Sequence, residues 1–125
     1  MYVGIAKIAL ALADSHSLKD KRMVLRRIRD RVRERLGVTI NEVGDADLHQ
    51  RAELGCAVVS SDRTKANAVI DQVLRVAADC GGFEIIGIAR RVDTFDADTV
   101  AYAAKPDDDG WVPDAWREPR SEGDS

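Results

Sequence analysis

Six stretches of the chain carry regular apolar patterning, and their order predicts a fold. Tyr2 to Leu12 is apolar almost throughout, broken only by Lys7. Such a run, bounded by a polar loop, predicts a strand covered on much of both faces. Its alanines lower its strand propensity. Asp14-Ser15-His16-Ser17 is a polar turn. Ser17 is placed as a helix N-cap, with Asp20 at the third helical position and facing the positive helix end. Leu18, Leu25, Ile28, Val32 and Leu36 then recur at helical spacing, with Met23 and Val24 beside them. They predict one apolar helix face, closed at Gly37 by a left-handed cap.

Val38 to Val43 reads as a short strand, and Gly44-Asp45-Ala46-Asp47 as a turn. From Gln50 to Ser60 the chain alternates, with Ala52, Leu54, Cys56 and Val58 on one side and Arg51, Glu53 and Gly55 on the other. That is a half-buried strand, and with its predecessor it makes a hairpin. Ser61-Asp62 opens a second helix whose core face is Ala66, Val69, Ile70, Val73, Leu74 and Ala77, closed by Gly81-Gly82. Phe83 to Val92 is the last strand.

The order strand, helix, strand, strand, helix, strand is that of the ferredoxin-like βαββαβ sandwich, an α+β fold. Right-handed crossovers bring the strands of each half parallel. Two helices then cover one face of a four-stranded antiparallel sheet. The other face is open, with Lys7, Arg51, Glu53, Glu84 and Arg90 expected on it, a mixed-charge surface unlike a membrane-binding one. The domain is placed at residues 1–92 and an acidic, flexible tail at 93–125.

Charge sharpens that division. The net charge of −3 is the sum of +4 over residues 1–92 and −7 over 93–125. Trp111 and Trp116, both tryptophans of the chain, lie in the acidic part. Aromatics are 5% of the residues, so the core is built from Val, Ile, Leu and Ala. The N-terminus lacks the basic and apolar regions of a signal peptide, and no run approaches the roughly 20 apolar residues of a membrane span. The cytoplasm is the expected location. Cys56 and Cys80 lack metal-ligand or redox spacing and read as small core residues. No cofactor is expected.

The strongest candidate surface is the first helix. Between Ser17 and Leu36 it holds nine basic and three acidic residues. Lys19, Arg22, Arg26, Arg29 and Arg33 recur at spacings of three and four, which makes one stripe along the helix. Arg27, Arg31 and Arg35 widen it. Arginines in such a stripe suit bidentate contacts to phosphate. The plainer reading is a solvated face balanced by Asp30, Glu34 and the acidic tail. Base stacking of the RNA-recognition-motif kind needs strand aromatics, and here the first strand offers only Tyr2. Asp45, Asp47 and His49 alternate near a turn and form a candidate loop site for a divalent metal or an enzyme centre. Turn chemistry explains the carboxylates as well. Asp14 and His16 near the helix start are weaker candidates for anion binding or acid–base work. No catalytic residue is assigned.

Three segments carry a family resemblance: Ser17-Leu18-Lys19-Asp20-Lys21-Arg22, then Glu42-Val43-Gly44-Asp45 with Asp47-Leu48-His49-Gln50-Arg51-Ala52, then Leu54-Gly55-Cys56-Ala57-Val58-Val59. With the N-terminal strand they resemble the YlxP family of small bacterial proteins, a domain of unknown function, over about residues 1–92. The resemblance implies the same ferredoxin-like fold. Members often sit among genes for translation initiation and ribosome maturation, which implies a link to ribosomal or other structured RNA. His49 stands where relatives often have tryptophan. The expectation is a non-catalytic RNA- or ribosome-associated module. The alternative is a protein-interaction or homo-oligomerisation module whose basic helix pairs with its own acidic tail.

Overall fold

Tyr2–Ala11 forms β1, the strand on which the others assemble. The computed structural model describes residues 1–96; the expectations for Trp111, Trp116 and most of the acidic tail fall on 97–125, outside the described residues. After β1 come helix α1 (Leu18–Leu36), strands β2 (Ile40–Gly44) and β3 (Arg51–Ser60), helix α2 (Arg63–Ala78) and strand β4 (Glu84–Thr94). The sheet order is β2-β3-β1-β4 with every neighbouring pair antiparallel. This is the α+β two-layer sandwich that the apolar patterning predicts.

The core lies between sheet and helices. Ala6, Ile8, Leu10 and Leu12 from the first strand and its exit meet Leu25, Ile28 and Val32 of α1 and Ile70 and Val73 of α2. Full burial of each such aliphatic side chain stabilises by roughly 1.5–3 kcal/mol, so this cluster drives folding.

The helix ends follow their local chemistry. Ser17 Oγ accepts from the Asp20 backbone N–H at 3.0 Å, and Asp20 in turn accepts from the His16 N–H at 2.9 Å. Gly37 ends α1 at φ 66°, where a side chain is strained. Asp62 caps α2 through the N–H groups of Thr64 and Lys65.

Along the chain, the elements differ from the apolar pattern at four points. Leu18 is 37% exposed and not part of the core; the slot one turn before Leu25 belongs to Lys21. The second strand starts at Ile40, two residues later than the pattern indicated, although Val38 is still buried. Asp79, rather than Gly81-Gly82, caps α2, and the two glycines turn the chain at φ 71° and 89° into β4. That strand runs to Thr94, so Asp93 and Thr94 pair with Val3 and Tyr2. Contacts group Met1–Phe95 as one compact unit.

The open face differs from its expected composition at one charge. Lys7, Arg51, Glu53 and Glu84 lie on it by register. Arg90 does not: it stands opposite Ala6 on the helix side and binds Asp71 and the Asn67 carbonyl of α2. The cause is a bulge in β4, where Leu10 pairs with Ile85 but Ala9 with Gly87. The unpaired Ile86 reverses the alternation beyond it.

Candidate nucleic-acid interface

Helix α1 buries Lys21, Leu25, Ile28 and Val32 against the sheet. The remaining surface carries the basic residues in two rails. Lys19, Arg22, Arg26, Arg29 and Arg33 follow the flank beside the edge strand β2, where Arg29 Nε donates to the Ile40 carbonyl at 3.3 Å. Arg27, Arg31 and Arg35 follow the other flank, where Arg27 donates to the Gly81 carbonyl at 2.7 Å in the turn after α2. Between the rails, Met23, Asp30 and Glu34 share with Arg26, Arg27 and Arg31 a shallow open depression.

The stripe is therefore not uniform. Arg29 is half-buried and anchored on backbone, and Arg33 pairs with Asp30 at 2.9 Å. Lys19, Arg22 and Arg26 are exposed and have no hydrogen bond or ion pair among the described residues. These three cations hold their charge toward solvent at the N-terminal half of the helix.

Lys21 does the reverse of its neighbour Arg22. It is 1% exposed. Its Nζ lies 2.7 Å from a Glu42 carboxylate oxygen and donates to the carbonyls of Asp45, Ala46 and Arg51 at 3.0, 3.2 and 3.3 Å. A buried ammonium is tolerated when oxygens replace its water. Here they come from both ends of the β2–β3 turn, so Lys21 fixes that loop against the start of α1. Gln50 adds bonds to the carbonyls of Ala13 and Ser15, tying the loop to the β1–α1 connection. In the sequence Lys21 is hidden by its charge. The signal was its phase: positions 21, 25, 28 and 32 complete the apolar stripe.

Asp45, Asp47 and His49 are all exposed on this loop. Asp45 is the one non-glycine residue with positive φ, at 58°, among the described residues. Among those residues no three His, Cys, Asp or Glu side chains gather as a metal site. The two cysteines are free thiols. Burial pushes the Cys56 thiol above its usual range, partly countered by a backbone hydrogen bond at Ala6. Tyr2 lies under the Arg63 guanidinium, 5.2 Å from its ring centre, at the start of α2.

The chain matches the family described as "Protein of unknown function (DUF503)" over residues 3–90. It belongs to this family. The match reaches all six elements and leaves out only Tyr2 of β1 and residues 91–94 of β4. One relative is the "Uncharacterized protein YlxP" of Bacillus subtilis (strain 168), 40% identical over 72 residues, which are 58% of this chain and 78% of the relative. Among solved structures, a de novo designed protein, Foldit4, is similar at a TM-score of 0.46 with 15% identity, covering 77% of this chain and all of the design. A C-terminal segment of the alpha subunit of aIF2 from Pyrococcus abyssi is similar at a TM-score of 0.38 with 17% identity, covering 72% of this chain and 48% of the segment. No helix among the described residues is long and apolar enough to cross a membrane.

Proposed function

We propose that this domain is a non-catalytic cytoplasmic binding module that engages structured RNA, ribosomal RNA foremost, through the β2-side flank of α1. One observation carries the reading: Lys19, Arg22 and Arg26 point charge to solvent with no partner among the described residues, continued by Arg29 and Arg33. Like charges at these spacings cost a helix a few tenths of a kcal/mol per pair, so the fold gains nothing from them. A polyanion supplies the missing partner, with affinity driven by release of its counterions. Among the described residues no strand aromatic lies on the open face, which favours recognition by charge and shape over base stacking.

The test is retention of ribosomal subunits from lysate on immobilised full-length protein at low and at high salt. Subunits held only at low salt, and lost when Lys19, Arg22 and Arg26 are changed together to Glu, support the reading. Retention that survives both high salt and the triple change contradicts it.

A second reading has its own observation: residues 97–125 carry eight acidic and three basic residues. In it, the tail occupies the basic flank and competes with RNA. Truncation after Asp96 then raises affinity for polyanions. The cut belongs there and not at Val92, because Asp93 and Thr94 are paired in the sheet. Equal affinity with and without the tail rejects this competition.

A further inference from the structure

The open face of the sheet is unlike the helix layer in both composition and charge. Its centre is small: Ala9 and Ala11 on β1, Gly55 and Ala57 on β3, Gly87 and Ala89 on β4. Larger apolar groups rise from this floor. Ile5 sits near the middle, Val43 and Val59 are 58% and 66% exposed, and Val43 folds over Gly55, where a Cβ would meet it at 3.1 Å. Shallow depressions lie on either side of Ile5 and Lys7. Exposed apolar side chains standing over so small a floor suit a packing contact.

The charge on this face is balanced. Lys7, Arg51 and Arg91 are matched by Glu53, Glu84 and Asp93. Two of the pairs close within the face, Lys7 with Glu53 at 3.2 Å and Arg91 with Asp93 at 3.0 Å. A polyanion gains little from such a surface, and the strongly acidic tail gains no more. A second copy brings the same apolar floor and the same three-and-three charges. A two-fold contact demands that self-complementarity.

We propose that the open sheet face is the docking surface for a second copy of this chain, packed sheet to sheet. The size is adequate. With strands spaced about 4.8 Å and rising about 3.3 Å per residue, the four strands project about 600 Å². That approaches the roughly 800 Å² per partner of ordinary stable complexes. Facing sheets pack about 10 Å apart through interdigitated side chains, and the small central residues admit the partner's Ile5, Val43 and Val59. The arrangement leaves the α1 flank outward on both copies, so the dimer presents two basic surfaces.

Sedimentation velocity of the full chain over a concentration series is the test. The expected result is a shift toward the mass of two chains as concentration rises. Ala57→Glu with Ala89→Glu, both at exposed positions, is expected to hold the chain as a monomer with unchanged helical circular dichroism. Val59→Glu is a second face variant with the same expected effect, should the double variant lose structure. A wild-type monomer at the highest concentration overturns the proposal. So does a dimer that persists in a folded face variant, because another surface then forms it.

Discussion

The two outer surfaces of the domain carry charge in different ways. On the flank of α1, cations stand in a row, and Lys19, Arg22 and Arg26 have no counter-ion among the described residues. On the open face of the sheet, three cations are met by three carboxylates over a floor of alanine and glycine. The lesson is that net charge says little by itself. An unbalanced row asks for an anionic partner, whereas a balanced apolar face suits a copy of itself. Inside the domain a third arrangement appears at Lys21, whose charge is spent wholly on structure.

Changing Lys21 gives the largest expected effect on the fold. Lys21→Met leaves Glu42 (23% exposed in its side chain) and three backbone carbonyls without their cation. Breaking a buried pair costs about 3–5 kcal/mol, and the exposure of Glu42 places this one near the low end, at about 3 kcal/mol. Urea denaturation measures it, and a loss below about 1 kcal/mol would show that water replaces the ammonium. Gly37→Ala comes next. The site has open space for a Cβ but φ is 66°, so the cost is backbone strain alone, about 1 kcal/mol.

The triple change of Lys19, Arg22 and Arg26 to Glu sits at the other extreme for stability. It breaks no pair among the described residues, and it leaves the three positions alike in charge while placing carboxylates near the positive helix end, so the unfolding free energy is expected to move by no more than about 0.5 kcal/mol. A loss of several kcal/mol would mean that these side chains hold the fold and would undo the contrast with Lys21.

Cys56 gives the smallest effect. Burial raises its folded pKa above the unfolded value. Its contribution is therefore fully present below the unfolded thiol value of roughly 8.5 and is lost as pH rises through the folded one. Stability measured between pH 8 and pH 10 (by urea titration at each step) is expected to fall more steeply in the wild type than in Cys56→Ala. Parallel pH profiles would assign the fall to other groups.

Much of the fold was legible because each element announces its own period. The alternation of Ala52, Leu54 and Cys56 and the helical spacing of Leu25, Ile28 and Val32 both point to faces that are buried. What escaped has physical causes. Lys21 sits at a core position, but hydropathy does not register an ammonium whose partners are carbonyls from a distant loop. Arg90 was assigned to the wrong side because alternation from Glu84 assumes an unbroken strand, and the bulge at Ile86 inverts it. The open face carries the mixed charge expected of it at Lys7, Arg51, Glu53 and Glu84, whereas the small Ala9, Ala57 and Ala89 between them do not mark a side by pattern. For the candidate site, the spacing identified the basic stripe, whereas the difference between the unpartnered Arg22 and Arg26 and the anchored Arg29 needs the neighbouring strand.

The salt dependence of binding to a defined structured RNA tests the α1 flank most directly. The slope of log affinity against log salt counts the phosphates that the protein neutralises, at about 0.7–0.9 per contact. The wild type is compared with the α1 triple variant and with a control that changes the exposed Lys65 and Arg75 of α2 to Glu. The expected slope is shallower by about 2–3 in the α1 variant, from three lost contacts at that scale, and that of the wild type in the control. Equal slopes for wild type and α1 variant, or a slope reduced only in the control, would contradict binding through the α1 flank.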